Sequence, residues 1–581
     1  GYPPHLISPP RGEEKGEGDI QSFLVSAQRH KEFAMLPRMG KANLFGSAFE
    51  GLDVATADGT WLIPSSALST YSAPFRDSNI LKVVHDIKAL FHVLKAQGVP
   101  LTPPYFDTML AEYLITPGRR NYPLDGGVEA LLPLQKQLQA QLAEYHIEKL
   151  LFDLELPLIP VLASMEEAGI LLDKKYLGVL SHTLHERLTV LEKDIWASAG
   201  TQFNIASPLQ LREVLFEKLK LPTKGIGHGK TGLSTDADTL EKLQGTHAVI
   251  PFILEHRELS KLTSTYVDVL PGLTDKAGRI HTTFNQTIAA TGRLSSINPN
   301  LQNIPVKGEW GKEIRKAFVA PSGTKLVALD YSQIELRVVA HLSHDRVMVA
   351  AFQDGEDIHN RTAAELFKVK PDEVTKDMRR MAKTINFGVL YGMGSNSLAS
   401  TMGIKREEAQ NFIDDYFNGF AGLAEYLRET KEQAHALGYV ETLFGRRRYL
   451  PELTSGMPYL RAEAERQAIN HPVQGTAADI MKMAMLEVTK KLKEFFSHPE
   501  RSEGSRQQGK RDSSPTAQND NSVRMLLQVH DELVFEVDEP LVEEVIPLIK
   551  SAMESVAQLR VPLVVDAKVG DNWGEMLSIA L

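Results

Sequence analysis

Two short segments far apart in the chain constrain it most: Asp330-Tyr331-Ser332-Gln333-Ile334-Glu335-Leu336-Arg337 and Val529-His530-Asp531-Glu532-Leu533-Val534-Phe535. Each sets a carboxylate beside an apolar run of strand-like composition, Leu326-Val327-Ala328-Leu329 ahead of Asp330 and Leu533-Val534-Phe535-Glu536-Val537 after Asp531. A lone Asp next to a strand is ordinarily a turn residue or a helix cap. Two of them at the ends of neighbouring strands can hold a pair of Mg²⁺ ions, the apparatus of phosphoryl transfer.

Between the two segments lies Arg379-Arg380-Met381-Ala382-Lys383-Thr384-Ile385-Asn386-Phe387-Gly388-Val389-Leu390-Tyr391-Gly392. Arg379, Lys383, Phe387 and Tyr391 recur at i+4, and on a helix such side chains drift only about 40° from one to the next. One face therefore carries two cations and then two rings, an order that suits the triphosphate and the base of a nucleotide. In an arbitrary helix the same order would be a solvated basic turn followed by core aromatics.

The two octets and this helix together resemble motifs A, C and B of the family A DNA polymerases, the group of bacterial DNA polymerase I. The likeness extends through Thr291-Gly292-Arg293-Leu294-Ser295-Ser296, Asn300-Leu301-Gln302-Asn303-Ile304-Pro305 and Gln474-Gly475-Thr476-Ala477-Ala478-Asp479. It is specific over roughly 151–581 and weaker before that. It implies an α/β multidomain chain of large-fragment type, an RNase H-like exonuclease-type domain followed by a right-hand polymerase domain of palm, fingers and thumb. The expected division is a flexible segment at 1–20, a degenerate 3′–5′ exonuclease-like domain at 21–150 and the polymerase domain at 151–581. Within the last, the thumb is expected at 151–280, the palm at 281–345 and 476–581, and the fingers at 346–475.

Composition is compatible with this reading. A chain of 581 residues exceeds one ordinary core, and 43% hydrophobic with 24% charged residues is a globular balance with no apolar run long enough for a bilayer. The net charge of −10 runs against a nucleic-acid partner on its face. Local basic clusters matter more, namely Lys376, Arg379, Arg380 and Lys383, then Arg446-Arg447-Arg448. With no Cys there are no disulfides, thiolate zinc sites or thiol chemistry, so a reducing cytoplasm is permitted. The chain opens with Gly rather than Met, which suggests a processed or truncated form, and no signal or transit peptide is evident.

Along the chain, the first twenty residues read as a flexible tail rich in Pro, Gly, Glu and Lys. Phe49–Ala57 and Gly59–Pro64 read as two strands joined at Asp58-Gly59, followed by helical patterns at Asp86–Gln97 and Phe106–Leu114. Phe106-Asp107-Thr108-Met109-Leu110-Ala111-Glu112-Tyr113-Leu114 is the best match to the exonuclease domain of the family. A working proofreading site needs Asp-x-Glu on a strand, a further Asp, and a helical Tyr-x-x-x-Asp. Here Asp53-Val54-Ala55 lacks the Glu, Leu90 stands where the second Asp belongs, and Tyr145 is followed by Lys149. Asp153-Leu154-Glu155 has the right letters in a helical run expected to end at Pro157. The domain is therefore expected to be a scaffold without nuclease activity.

Leu180–Ile195 has apolar spacings of a long amphipathic helix, and Lys224-Gly225-Ile226-Gly227-His228-Gly229-Lys230-Thr231-Gly232 reads as a flexible basic loop able to track phosphates. Residues 497–522 hold almost no large apolar side chain and are expected to be a disordered insertion, a departure from the family, where the joint is shorter.

The resemblance assigns the site as follows. Asp330, Asp531 and the backbone carbonyl of Tyr331 would hold two Mg²⁺, with Mn²⁺ able to substitute. Glu532 would support them from the other face of its strand. Arg379, Lys383, His359, Phe387, Tyr391, Glu335 and Gln333 would bind the dNTP, with Lys383 also able to protonate pyrophosphate. Glu335 and Tyr391 would exclude a ribose 2′-hydroxyl. Phe387, where relatives vary between Phe and Tyr, implies poor use of dideoxynucleotides. Arg293 and Gln474 would donate to N3 and O2 in the minor groove, acceptors common to all Watson–Crick pairs. Gln302, Asn303, Arg466, Asn470 and His530 complete the expected DNA contacts. The implied partners are primer-template DNA and dNTPs, without a membrane, for a monomeric enzyme of replication and repair in the bacterial cytoplasm and nucleoid. A single-subunit RNA polymerase, opposed by Glu335, and a catalytically silent DNA-binding protein, opposed by Asp330, Asp531, Arg379 and Lys383, stay as alternatives.

Overall fold

The computed structural model describes residues 20–40, 48–229, 232–306, 308–497 and 522–579. The expected tail at 1–20 and insertion at 497–522 fall, but for their end residues, outside the described residues, as do Lys230 and Thr231 of the basic loop.

The N-terminal part is built on a five-stranded sheet in the order Gly59–Pro64, Phe49–Thr56, Glu32–Met39, Leu81–Val84, Tyr105–Asp107. The first three strands are antiparallel neighbours and the last two run parallel to Glu32–Met39. Phe106 and Asp107 belong to the edge strand rather than to the helix expected there, which begins at Thr108. Asp107 starts that helix, its carboxylate accepting from the amides of Met109 (2.8 Å) and Leu110 (3.2 Å).

A helical stretch then crosses into the rest of the chain. Leu150–Glu155 forms a π-helical segment that continues directly into the Leu156–Ala168 helix. Pro157 does not end it: the backbone stays helical through the proline, against the expectation from sequence.

Beyond it, Lys174–Ala199 and Val249–Leu262 pack side by side. Asp173 caps the first of these, and Leu177, Leu180, Leu184, Leu191 and Ile195 supply its buried stripe. Gly200 closes it at φ 64°.

The second sheet runs Val523–Val529, Glu532–Asp538, Thr324–Tyr331, Val565–Gly570, Leu577–Ile579, all antiparallel. Leu326, Val327, Ala328 and Leu329 lie in its centre and are all buried, which explains their unbroken apolar run. The Val542–Glu554 helix covers it, with the Tyr331 hydroxyl donating to the Met553 carbonyl at 2.6 Å. One helix, Pro458–Ser497, spans the position where fingers were expected to give way to palm.

A buried charge cluster ties these parts together. Arg446 donates to Glu155 (2.6 Å) and Asp479 (2.7 and 2.9 Å), and Lys482 donates to Glu155 (2.6 Å). Burial pushes the Glu155 carboxyl up, but Lys482 and then Arg446 outweigh it and hold the carboxyl at about 2. A folded-state pKa below the ordinary 4.5 contributes stability that is present above pH 4.5 and lost as pH falls toward about 2. Glu155→Gln should therefore cost about 3–5 kcal/mol at pH 7, since it leaves two buried cations short of a partner. The gap between variant and wild type in denaturant unfolding should narrow as pH drops below 4.5.

Candidate active site

Asp330 and Asp531 meet at one edge of the second sheet. Val523–Val529 and Glu532–Asp538 form a hairpin whose turn is His530-Asp531, with His530 in the left-handed region at φ 54°. The amide of Tyr331 donates to the Asp531 carbonyl at 3.0 Å and fixes the turn against the strand that carries Asp330. Register does the rest, pairing Asp330 with Glu532 on one side and with Asp566 on the other.

That register corrects the reading of Glu532. Asp531 sits in the turn, so strand alternation does not apply to it. Residues directly opposite across a ladder share a face, which places Glu532 beside Asp330 rather than behind it. Its carboxylate also accepts from Trp573 Nε1 at 3.0 Å.

Burial pushes the Asp330 carboxyl up to about 7, aided by Glu532, then Asp531 and, less strongly, Asp566, against the pull of Lys568. Asp531 is raised by burial too, with Arg293 and His530 opposing. Glu335 is likewise driven by burial to about 7, although it accepts from Arg293 at 2.5 Å. The acids thus crowd together with Arg293 beside Asp531 and Glu335 and Lys568 beside Asp330, an arrangement that a divalent cation would relieve. Among the described residues no group of three or more His, Cys, Asp or Glu forms a self-contained metal cage. Two hard carboxylates fit Mg²⁺ all the same, because that ion usually keeps waters and substrate phosphates as its other ligands.

The Lys376–Leu390 helix stands where the i+4 spacing requires. Thr375 caps it, and Tyr391 is the residue just past its last turn, still bonded through its amide to the Phe387 carbonyl at 3.0 Å. Lys383, Phe387 and Tyr391 line an open cleft of about 820 Å³ together with Arg380, Thr384 and Arg466. The Phe387 and Tyr391 rings lie nearly parallel, 23° apart with centroids at 6.4 Å. Arg379 does not line this cleft; its Nε donates to Asp357 at 2.6 Å.

His359 is buried 5.7 Å from the Phe387 ring, and its burial drives the imidazole down to about 4. It is neutral at physiological pH. The Asn386 side-chain amide bridges its Nδ1 (2.9 Å) and the Thr362 hydroxyl (3.0 Å), which also donates to the Ile358 carbonyl at 2.8 Å, so one amide holds the ring in place.

The expected DNA contacts form two groups. Arg466, Asn470 and Gln474 follow one another at i+4 along Pro458–Ser497, with Asn470 Oδ1 buried and without a partner. Gln302 bonds the Gln528 side chain and carbonyl (3.0 and 3.1 Å), next to the hairpin turn, while Asn303 is held through its amide by Asn300. His530 is exposed at the tip, and Gln333 starts the Ile334–Ser343 helix at φ 55°.

Sequence reasoning missed Asp357 and Asn386 as working residues. Asp357 caps its helix through the amides of His359 and Asn360 and also binds Arg379, a residue 22 positions away that no spacing ties to it. Asn386 gave no signal, because its partner His359 lies on another helix.

A family model described as DNA polymerase family A matches residues 174–575. The chain is 45% identical to the thermostable DNA polymerase I of Thermus thermophilus over 507 residues, 84% of this chain and 57% of that protein. It is 46% identical to DNA polymerase I of Pseudomonas aeruginosa over 432 residues, 74% of this chain and 44% of that one. The chain thus spans about half the length of these curated relatives. Among solved structures, the POL domain of Pol1 from M. smegmatis, in complex with DNA primer-template and dNTP, superposes with a TM-score of 0.87 at 37% identity. That match covers 97% of this chain and 99% of the other.

The His359 environment gives a direct expectation. Nitrogen-resolved NMR of the histidines should find this ring neutral, held in one tautomer by Asn386 and not titrating between pH 6 and 8, because burial lowers its pKa to about 4. Asn386→Leu should abolish the preference for that tautomer.

Proposed function

The chain belongs to DNA polymerase family A, and we propose that it catalyses template-directed DNA synthesis, adding dNTPs to a primer 3′-hydroxyl. The observation that carries this reading is the meeting of Asp330 and Asp531 at one sheet edge, beside Glu335 and Arg293.

Asp330, Asp531 and the Tyr331 carbonyl are the groups that would hold two Mg²⁺ or Mn²⁺. When bound, such ions make the primer hydroxyl more acidic and neutralise charge on the triphosphate and the departing pyrophosphate. Lys383 and Arg379 orient the triphosphate, and Lys383 is placed to hand a proton to the pyrophosphate. To do so Arg379 leaves Asp357 for phosphate oxygens. Neutral His359 and Gln333 complete the set. Phe387 and Tyr391 stack the incoming base.

Glu335, next to Tyr391 in the closed site, leaves no room or partner for a 2′-hydroxyl and so selects deoxyribose. Phe387 lacks the hydroxyl that favours dideoxynucleotides. Arg293 and Gln474 check the minor groove, with Gln302, Asn303, Arg466, Asn470 and His530 along the duplex. We place the thumb at the Lys174–Ala199 and Val249–Leu262 pair, the palm at the second sheet and the fingers at the helices between.

The same reading treats the N-terminal part as an RNase H-like exonuclease domain without proofreading, supported by its strand order. Asp53 is committed to Arg38 (2.6 and 3.2 Å), Leu90 is core, and Asp107 is engaged by backbone amides. We take the chain as a monomeric enzyme of the bacterial cytoplasm and nucleoid; separately, no described helix is long and apolar enough to cross a membrane.

Primer extension tests all of this at once. Extension with dNTPs and Mg²⁺ but not NTPs is expected, and none at all overturns the reading. Asp531→Ala should lose about a thousandfold or more in rate, given the several kcal/mol that metal binding supplies. Glu335→Ala should narrow the dNTP preference by about a hundredfold. Metal-dependent trimming of a mismatched 3′ end by an Asp531→Ala chain would contradict the loss of proofreading.

A further inference from the structure

Arg293 is carried by a turn that the rest of the molecule holds from beneath. The amide of Gly292 donates to the Ala289 carbonyl at 3.0 Å, closing Ala289–Gly292 immediately before Arg293. The same carbonyl accepts from the Tyr113 hydroxyl at 2.6 Å. Tyr113 is fully buried on the Thr108–Ile115 helix of the N-terminal domain. Its ring in turn faces the Arg446 guanidinium, whose carbon lies 5.9 Å from the ring centroid.

Arg446 supports the other end of the turn. Gly292 sits at φ 83°, and a Cβ there would meet Arg446 Nε at 2.5 Å, so backbone and guanidinium are in direct contact. Arg446 is locked by Glu155 and Asp479. Gly475 repeats the arrangement: a Cβ there would run into Thr442 and lie 3.2 Å from the Thr291 carbonyl, and the residue before it is Gln474. Both expected minor-groove probes thus follow or precede a glycine pressed onto this buried cluster.

We infer that Tyr113 and Arg446 are positioning residues for Arg293, so that the N-terminal domain is a working brace of the polymerase site. The inference rests on the minor-groove role given to Arg293 above. A bidentate charge cluster and a bonded turn remove the backbone freedom that would let Arg293 miss an acceptor, in the way that supporting groups hold a reacting constellation. Arg293 already reaches Glu335 from this anchor.

The test compares single-turnover extension by the full chain from a primer ending in a normal purine and from one whose terminal purine has carbon in place of N3. Wild type should extend the normal primer about ten- to a hundredfold faster, the worth of a charged hydrogen bond, and Arg293→Ala should bring the ratio to one. Tyr113→Phe and Arg446→Lys should lower the ratio about threefold or more, while the rate on the modified primer stays near that of wild type. A role in folding alone would lower both rates together, or the unfolding temperature, without moving the ratio. Tyr113→Phe keeps the buried ring and so remains informative where Arg446→Lys fails to fold. A wild-type ratio in Tyr113→Phe, beside a ratio of one in Arg293→Ala, overturns the inference alone. A wild-type ratio of one overturns the minor-groove role of Arg293 and the inference with it.

Discussion

Everything at the candidate site depends on the register of one strand, Thr324–Tyr331, between its two neighbours. Side chains alternate along a strand, so a slip of one residue would carry Asp330 to the opposite face and leave Asp531 alone. The buried run Leu326–Leu329 resists such a slip, and the bond from the Tyr331 amide to the Asp531 carbonyl sets the hairpin turn at the same height. His530 in the left-handed region tightens that turn, a costly conformation at the place where the carboxylates have to converge.

The consequence of convergence is electrostatic. Asp330, Asp531 and Glu335 are all raised, chiefly by burial, and Glu532 is the next cause for Asp330, ahead of Asp531. A stable fold would ordinarily disperse such groups, since like charges in a partly dry site repel strongly. Keeping them together with Arg293 as the nearby cation stores a demand for positive charge, which the proposed metal ions meet. The Arg379–Asp357 pair sets a cation on a helix cap, the contact it would give up for phosphate oxygens in the proposed function.

The N-terminal sheet and its helices are joined to the rest of the chain by buried polar contacts. Its candidate acids are spent on structure, Asp53 on Arg38 and Asp107 on helix amides, while Tyr113 and Glu155 reach into the remainder of the chain. The Tyr113 hydroxyl on the Ala289 carbonyl and the Glu155 carboxylate on Arg446 and Lys482 are direct contacts between these parts of the chain.

Local chemistry in the sequence determined a good deal. The i+4 run from Arg379 to Tyr391, the apolar strands beside Asp330 and Asp531, and the missing partner of Asp53 were legible because each is a matter of spacing within one element. Only tertiary structure decided the rest. The face taken by Glu532 depends on a turn and a cross-strand register, the neutral state of His359 on burial against Phe387 and on Asn386 from another helix, and the role of Arg446 on Glu155 and Asp479, which lie far from it in the chain. Arg446 read from sequence as one of three exposed basic residues; burial with two acids made it part of the frame. Pairings across large sequence separations leave no periodicity to read, and a charged residue looks the same in sequence whether water or a carboxylate surrounds it.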